Sequence, residues 1–151
     1  MGKRLAAIRN AASNNAVTQK PRDAIDIALL FDMTGSMQLW FEEAKKKVRE
    51  IVNQVNIKYP QQELRMAFVG YRDFGDDGTS PYEVLDFTTA SELSLFLDNV
   101  SKCDGGFDAA EDVTGGITQI LSLSWKSRTR LTVFIADAPG HGIEYQYFNL
   151  I

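Results

Sequence analysis

The stretch that decides the fold is DIALLFDMTGSM, residues 26–37. An almost unbroken apolar run ends on Asp32, and Thr34, Gly35, Ser36 and Met37 follow at once. A run with no polar face reads as a strand covered on both sides, as in the parallel sheets of α/β proteins. Such sheets gather their sites beyond the carboxyl ends of the strands. A carboxylate at that end, followed by hydroxyls at two-residue spacing, is therefore a candidate ligand set. Residues two apart in an extended turn point the same way, and Gly35 lets the backbone bend, so Asp32, Thr34 and Ser36 can converge. The alternative is that Asp32 or Thr34 merely caps the helix beginning near Leu39.

Outward from this turn, the chain alternates strands and helices. Phe41, Ala44, Val48, Ile51, Val52 and Val55 recur at three- and four-residue spacing and predict an amphipathic helix over roughly 39–59. LRMAFVGY (64–71) is a second buried strand, and YEVLDF (82–87) has the short alternation of an edge strand. Leu93, Phe96, Leu97 and Val100 mark a helix that Thr89 or Ser91 can cap. A Gly- and Asp-rich loop, residues 102–112, runs into a helix carrying Val113, Ile117, Ile120 and Leu121, and LTVFIAD (131–137) is the last strand. Phe41, Trp40 and Trp125 are expected in the core. The predicted class is α/β, Rossmann-like: a mostly parallel sheet with helices on both faces and one short antiparallel edge strand.

Length and composition narrow the function. The 151 residues suit one domain, and 44% hydrophobic with 24% charged residues is ordinary for a soluble globular chain. No apolar run reaches the ~20 residues that span a bilayer. Residues 1–22 hold Lys3, Arg4, Arg9, Lys20 and Arg22 and no acid, so 1–23 reads as a flexible basic leader to a domain over 24–151. Removing those five from the 16 basic residues leaves residues 23–151 with 11 against 20 acids, a charge of −9 that argues against nucleic acid. The single cysteine, Cys103, closes no internal disulfide and favours a reducing, cytoplasmic setting.

Three acid-bearing turns can meet at one sheet edge: Asp32 with Thr34 and Ser36; Asp108, Glu111 and Asp112 in the second loop; and Asp137 in FIADAPGHG (134–142). Crowded carboxylates repel one another unless a cation holds them ionised. An all-oxygen set of this kind suits Mg²⁺, with Mn²⁺ or Ca²⁺ as alternatives. No GxxxxGK[ST] loop, kinase signature or nucleophile–base pair is present, so neither a nucleotide site nor a hydrolase triad is expected.

DMTGSM, preceded by an apolar strand and followed by an amphipathic helix, resembles the D-x-[ST]-G-S motif that opens the metal-ion-dependent adhesion site of von Willebrand factor A domains. LTVFIADAP resembles that family's later strand, and the similarity runs in order from about residue 24 to 145. RMAFVGYRDFGD and EDVTGG are shared with the A-type domains found with alpha-kinases, and FDAAED is similar to the D-x-P-E pattern of integrin β I-like domains, with Ala110 in place of Pro. The resemblance implies Asp32, Thr34, Ser36, Glu111 and Asp137 as ligands, Asp108 as ligand of an adjacent second cation, and Thr114 as the substitute for Glu111 in the commoner pattern. It implies a non-catalytic domain that recognises a protein partner through its metal, by way of an Asp or Glu side chain, without nucleic acid or membrane.

Asp73, Asp76, Asp77 and His141 are candidates for a binding rim, with His141 also readable as structural. The resemblance implies a strand order 3-2-1-4 and a C-terminally shortened fold, which leaves strand 131–136 as an open edge where another chain can pair. A degenerate scaffold or fragment without metal is the alternative, and a metal-dependent hydrolase, which needs a general base not identifiable here, the third reading.

Overall fold

The computed structural model describes residues 24–73, 80–100, 103–105 and 110–142. Strand β1 (Ala24–Asp32) leads through a 3-10 turn (Gly35–Met37) into helix α1 (Gln38–Lys58) and strand β2 (Glu63–Tyr71). Strand β3 (Tyr82–Thr88), helix α2 (Ala90–Asn99), helix α3 (Val113–Ser122) and strand β4 (Thr129–Ile135) follow. The leader 1–23, and with it the domain boundary at 24, lies outside the described residues, as do Asp76, Asp77 and Asp108.

The sheet order is β3-β2-β1-β4, as the resemblance implies. β1 pairs in parallel with β2 and β4, and β2 with β3 antiparallel. Alternation along β1 sorts the core into two layers. Ile27, Leu29 and Phe31 face α1 and α2, meeting Phe41, Val48, Leu93 and Leu97; Ala28 and Leu30 face α3, with Val69, Tyr71 and Ile120. Phe31 and Phe41 meet edge to face at 5.1 Å. Helices on both faces explain why β1 reads as continuously apolar. Thr89 caps α2 through a full capping box with Glu92.

At the amino end of β1, Asp26 is fully buried and takes hydrogen bonds from Ser127 Oγ (2.5 Å), Ser127 N (2.9 Å) and Lys126 N (2.8 Å), with Arg65 at 3.2 Å. This ties the α3–β4 connection to the sheet and fixes the register of β4.

Some side chains depart from the periodic reading. Trp40 is 62% exposed, and Ile51, Ile117 and Leu121 are exposed too, because each helix covers the sheet with a stripe narrower than its apolar content. Trp125 packs half-buried on Phe87, ring centroids 4.6 Å apart. Among the described residues β4 pairs on one side, with β1, and Leu131 and Phe134 remain 50% and 51% exposed. No described helix is long and apolar enough to cross a membrane.

Candidate metal centre

The strand ends bring the first and third turns together. Asp32 Oδ1 accepts from Thr34 N (2.9 Å) and Thr34 Oγ1 (2.7 Å), closing the turn on itself. Ser36 Oγ donates to Asp137 Oδ1 at 3.1 Å, and Thr34 Oγ1 and Ser36 Oγ stand 3.4 Å apart. A hydroxyl carries one proton. With those protons directed at Asp32 and Asp137, both hydroxyl oxygens keep lone pairs for a further electrophile. Neither Asp32 nor Thr34 caps α1, whose N-cap is Met37; Thr34 stands at the N-cap of the 3-10 turn without a side-chain cap bond.

Asp32 is wholly buried, and its Oδ2 has no hydrogen-bond partner. Burial pushes its pKa up, the Thr34 bonds pull back, and the nearby Asp137 charge raises it further, for a net rise. An ionised carboxylate oxygen buried without a donor is the environment a cation relieves.

Glu111 is also buried, just before α3. Its N–H donates to Pro139 O (3.0 Å) and its carbonyl accepts from His141 N (3.2 Å), a parallel bridge that welds the second loop to the third. Asp112, the other acid of that loop, is committed elsewhere: it is the N-cap of α3, accepting from Gly115 N (2.9 Å) and from the Tyr82 hydroxyl. Thr114 lies exposed in the first turn of α3. Of the rim candidates, Asp73 and His141 meet at 2.8 Å through His141 Nε2, so the histidine is a strut between the end of β2 and the third loop. Cys103 is buried, its thiol pushed up to about 11 chiefly by that burial.

Tyr71 was not among the sequence candidates. It ends β2 in register with Asp32, is fully buried, and its hydroxyl has no partner. Burial, then the charges of Asp32, Glu111 and Asp137, hold that phenol far above its ordinary pKa. The signal available in sequence was only a polar atom at the carboxyl end of a buried strand.

Among the described residues, no three His, Cys, Asp or Glu side chains stand close enough to enclose an ion by themselves. The Thr34 and Ser36 hydroxyls are the oxygens that stand with Asp32 and Asp137 at this edge. Asp32, Thr34, Ser36 and Asp137 make an all-oxygen set joined by hydrogen bonds, and Glu111 is buried on the loop bonded to Pro139 and His141. Such donors fit a hard divalent cation that keeps several waters.

No family model matches the chain. It is similar to the alpha-protein kinase vwkA of Dictyostelium discoideum, 31% identical over 125 residues, which is 82% of this chain and 20% of that protein. The chain thus spans about a fifth of the relative it matches. The fold is shared with part of the pilus adhesin SpaC from Lactobacillus rhamnosus GG: TM-score 0.62 at 17% identity over 80% of this chain and 16% of the adhesin. The open conformation of SpaC gives 0.58 at 15% identity over 78% of this chain and 15% of that one.

Proposed function

We propose that the chain is a von Willebrand factor A-type domain that binds Mg²⁺ at Asp32, Thr34, Ser36, Asp137 and Glu111, and recognises a protein partner there without catalysing a reaction. The observation that carries this is Asp32 Oδ2, buried and without a donor beside two hydroxyls whose protons point at carboxylates. The similarity to a segment of vwkA and the fold shared with an adhesin support a binding module of this type. Mn²⁺ would suit the same donors, and Ca²⁺ would ask for more of them. The bound cation would supply positive charge that an Asp or Glu side chain of the partner completes. Three carboxylates around a divalent ion over-neutralise it, so the resting grip on an acidic partner is weak. A hydrolase would need a base, and the sole histidine is engaged by Asp73. The one cysteine suits a reducing, cytoplasmic setting. The open edge of β4 offers a second place for a chain to pair.

The test is Mg²⁺ titration by calorimetry with thermal melting, on the wild type and on Ser36→Ala. Saturable binding that raises the melting temperature and weakens in the variant supports the reading. A cooperative melt indifferent to Mg²⁺ leaves a metal-free scaffold, while metal-dependent turnover of a phosphoester would favour a hydrolase.

A further inference from the structure

Residues in register across a parallel pair project to the same face, so Tyr71 and Asp32 share the α3 side of the sheet. The ring is clamped there. A methyl group on Gly116 of α3 would come within 3.0 Å of it, and Phe134 of β4 lies at 6.2 Å between centroids. The hydroxyl therefore has little freedom to seek another partner.

Leaving a buried hydroxyl unsatisfied costs about 1–3 kcal/mol, and phenylalanine would fill the same space without that cost. The fold gains nothing from the oxygen. Its partner in register, Asp32, carries in Oδ2 an acceptor equally buried and equally without a partner, and the charges of Asp32, Glu111 and Asp137 all act on the phenol. An unused donor and an unused acceptor on paired residues make sense if the carboxylate layer shifts when it takes up its ion.

We infer that Tyr71 is a positioning residue of the cation site: its hydroxyl donates to Asp32 Oδ2, directly or through one water, and holds that carboxylate toward the ion. This rests on the cation reading above. Donors behind a metal ligand contribute about 10–100-fold to metal affinity.

The experiment is Tyr71→Phe in the full chain, with Mg²⁺ calorimetry and melting in EDTA. The expected result is at least a tenfold weaker Mg²⁺ affinity with an unchanged or higher melting temperature in EDTA, a combination that a packing role would not produce. Wild-type affinity in the variant overturns the inference and leaves the cation reading intact. A lower melting temperature in EDTA also overturns it, because the hydroxyl would then serve the fold. A wild-type chain that binds no Mg²⁺ overturns both.

Discussion

Replacing Asp32 with asparagine should stabilise the chain without cation and weaken it with cation. Asparagine keeps a carbonyl oxygen, so the bonds from Thr34 N and Thr34 Oγ1 survive. Hydrogen bonds to an ionised acceptor exceed neutral ones by about 1 kcal/mol each, so the two together lose about 2 kcal/mol. Against this, the effective penalty for a buried ion is several kcal/mol, here about 3, and repulsion from Asp137 adds to it. The balance is a gain of about 1 kcal/mol, which for a domain of this size is a rise of about 2–4 °C in melting temperature.

Magnesium should reverse the order. At a hundred times its dissociation constant it adds about 2.7 kcal/mol to the wild type, or about 5–10 °C, and nothing to Asp32→Asn. The pH dependence follows from the sign of the shift. The folded pKa of Asp32 is raised above 3.8, so the penalty is full above that folded pKa and vanishes as the pH falls below 3.8. The advantage of asparagine in EDTA should therefore narrow toward pH 4. Melting curves in EDTA and in Mg²⁺, at pH 7 and near pH 4, measure all of this. A variant that melts below the wild type in EDTA at pH 7 would make Asp32 a structural staple and refute the burial argument.

Glu111→Gln should weaken Mg²⁺ binding yet tighten capture of an acidic peptide at saturating Mg²⁺, since one negative charge leaves the ion; titration with such a peptide decides it, and unchanged or weaker capture sinks the over-neutralisation argument. Thr114→Ala, exposed on α3, should alter neither. Asp26→Ala should cost about 3–5 kcal/mol, because Arg65 and two N–H groups lose a buried partner; urea melts read the loss, and a cost under 1 kcal/mol would refute it. Burial works against the Asp26 charge, but Ser127, Lys126 and Arg65 outweigh it and hold the pKa below 3.8. Its stabilisation is thus present above pH 3.8 and lost as the pH falls through that lower value. Leu131→Lys on the open edge should abolish concentration-dependent self-association in sedimentation runs, and a wild type monomeric at high concentration would show that β4 pairs with no second copy.

The buried strands and the first turn were legible because they rest on local signals: an apolar run, a carboxylate at its end, hydroxyls two residues apart. The sheet order was legible only through the family resemblance. The Ser36–Asp137 bond joins residues 101 apart, and only the parallel pairing of β1 with β4 made it foreseeable. The second loop was less legible. Glu111 and Asp112 are adjacent acids, and nothing in their order tells that one goes under the loops while the other caps α3. Tyr71 was hidden for the opposite reason: at the end of LRMAFVGY it reads as one more core side chain, and its hydroxyl matters only once register sets it beside Asp32. Trp40 and Ile51 were misplaced because periodicity gives a helix its apolar face but not the width of the surface that covers it.

The backbone bonds around the site show why its parts respond together. Met33 N donates to Tyr71 O (2.8 Å), Asp104 N to Met33 O (3.0 Å) and Gly35 N to Gly105 O (3.2 Å), fixing the first turn to the end of β2 and to the start of the second loop. Glu111 is held instead to Pro139 and His141, on the third loop with Asp137. Two of the three carboxylates thus ride on one unit and the third on another. Side-chain hydrogen bonds that join the units include Ser36 with Asp137 and Asp73 with His141. A small displacement of the third loop would carry Glu111 and Asp137 together relative to Asp32, changing two ligand distances at once. Under the proposed function, cation affinity would then respond steeply to anything that pulls on residues 137–141. A partner that touches that loop would sense the ion, and by linkage the ion would sense the partner.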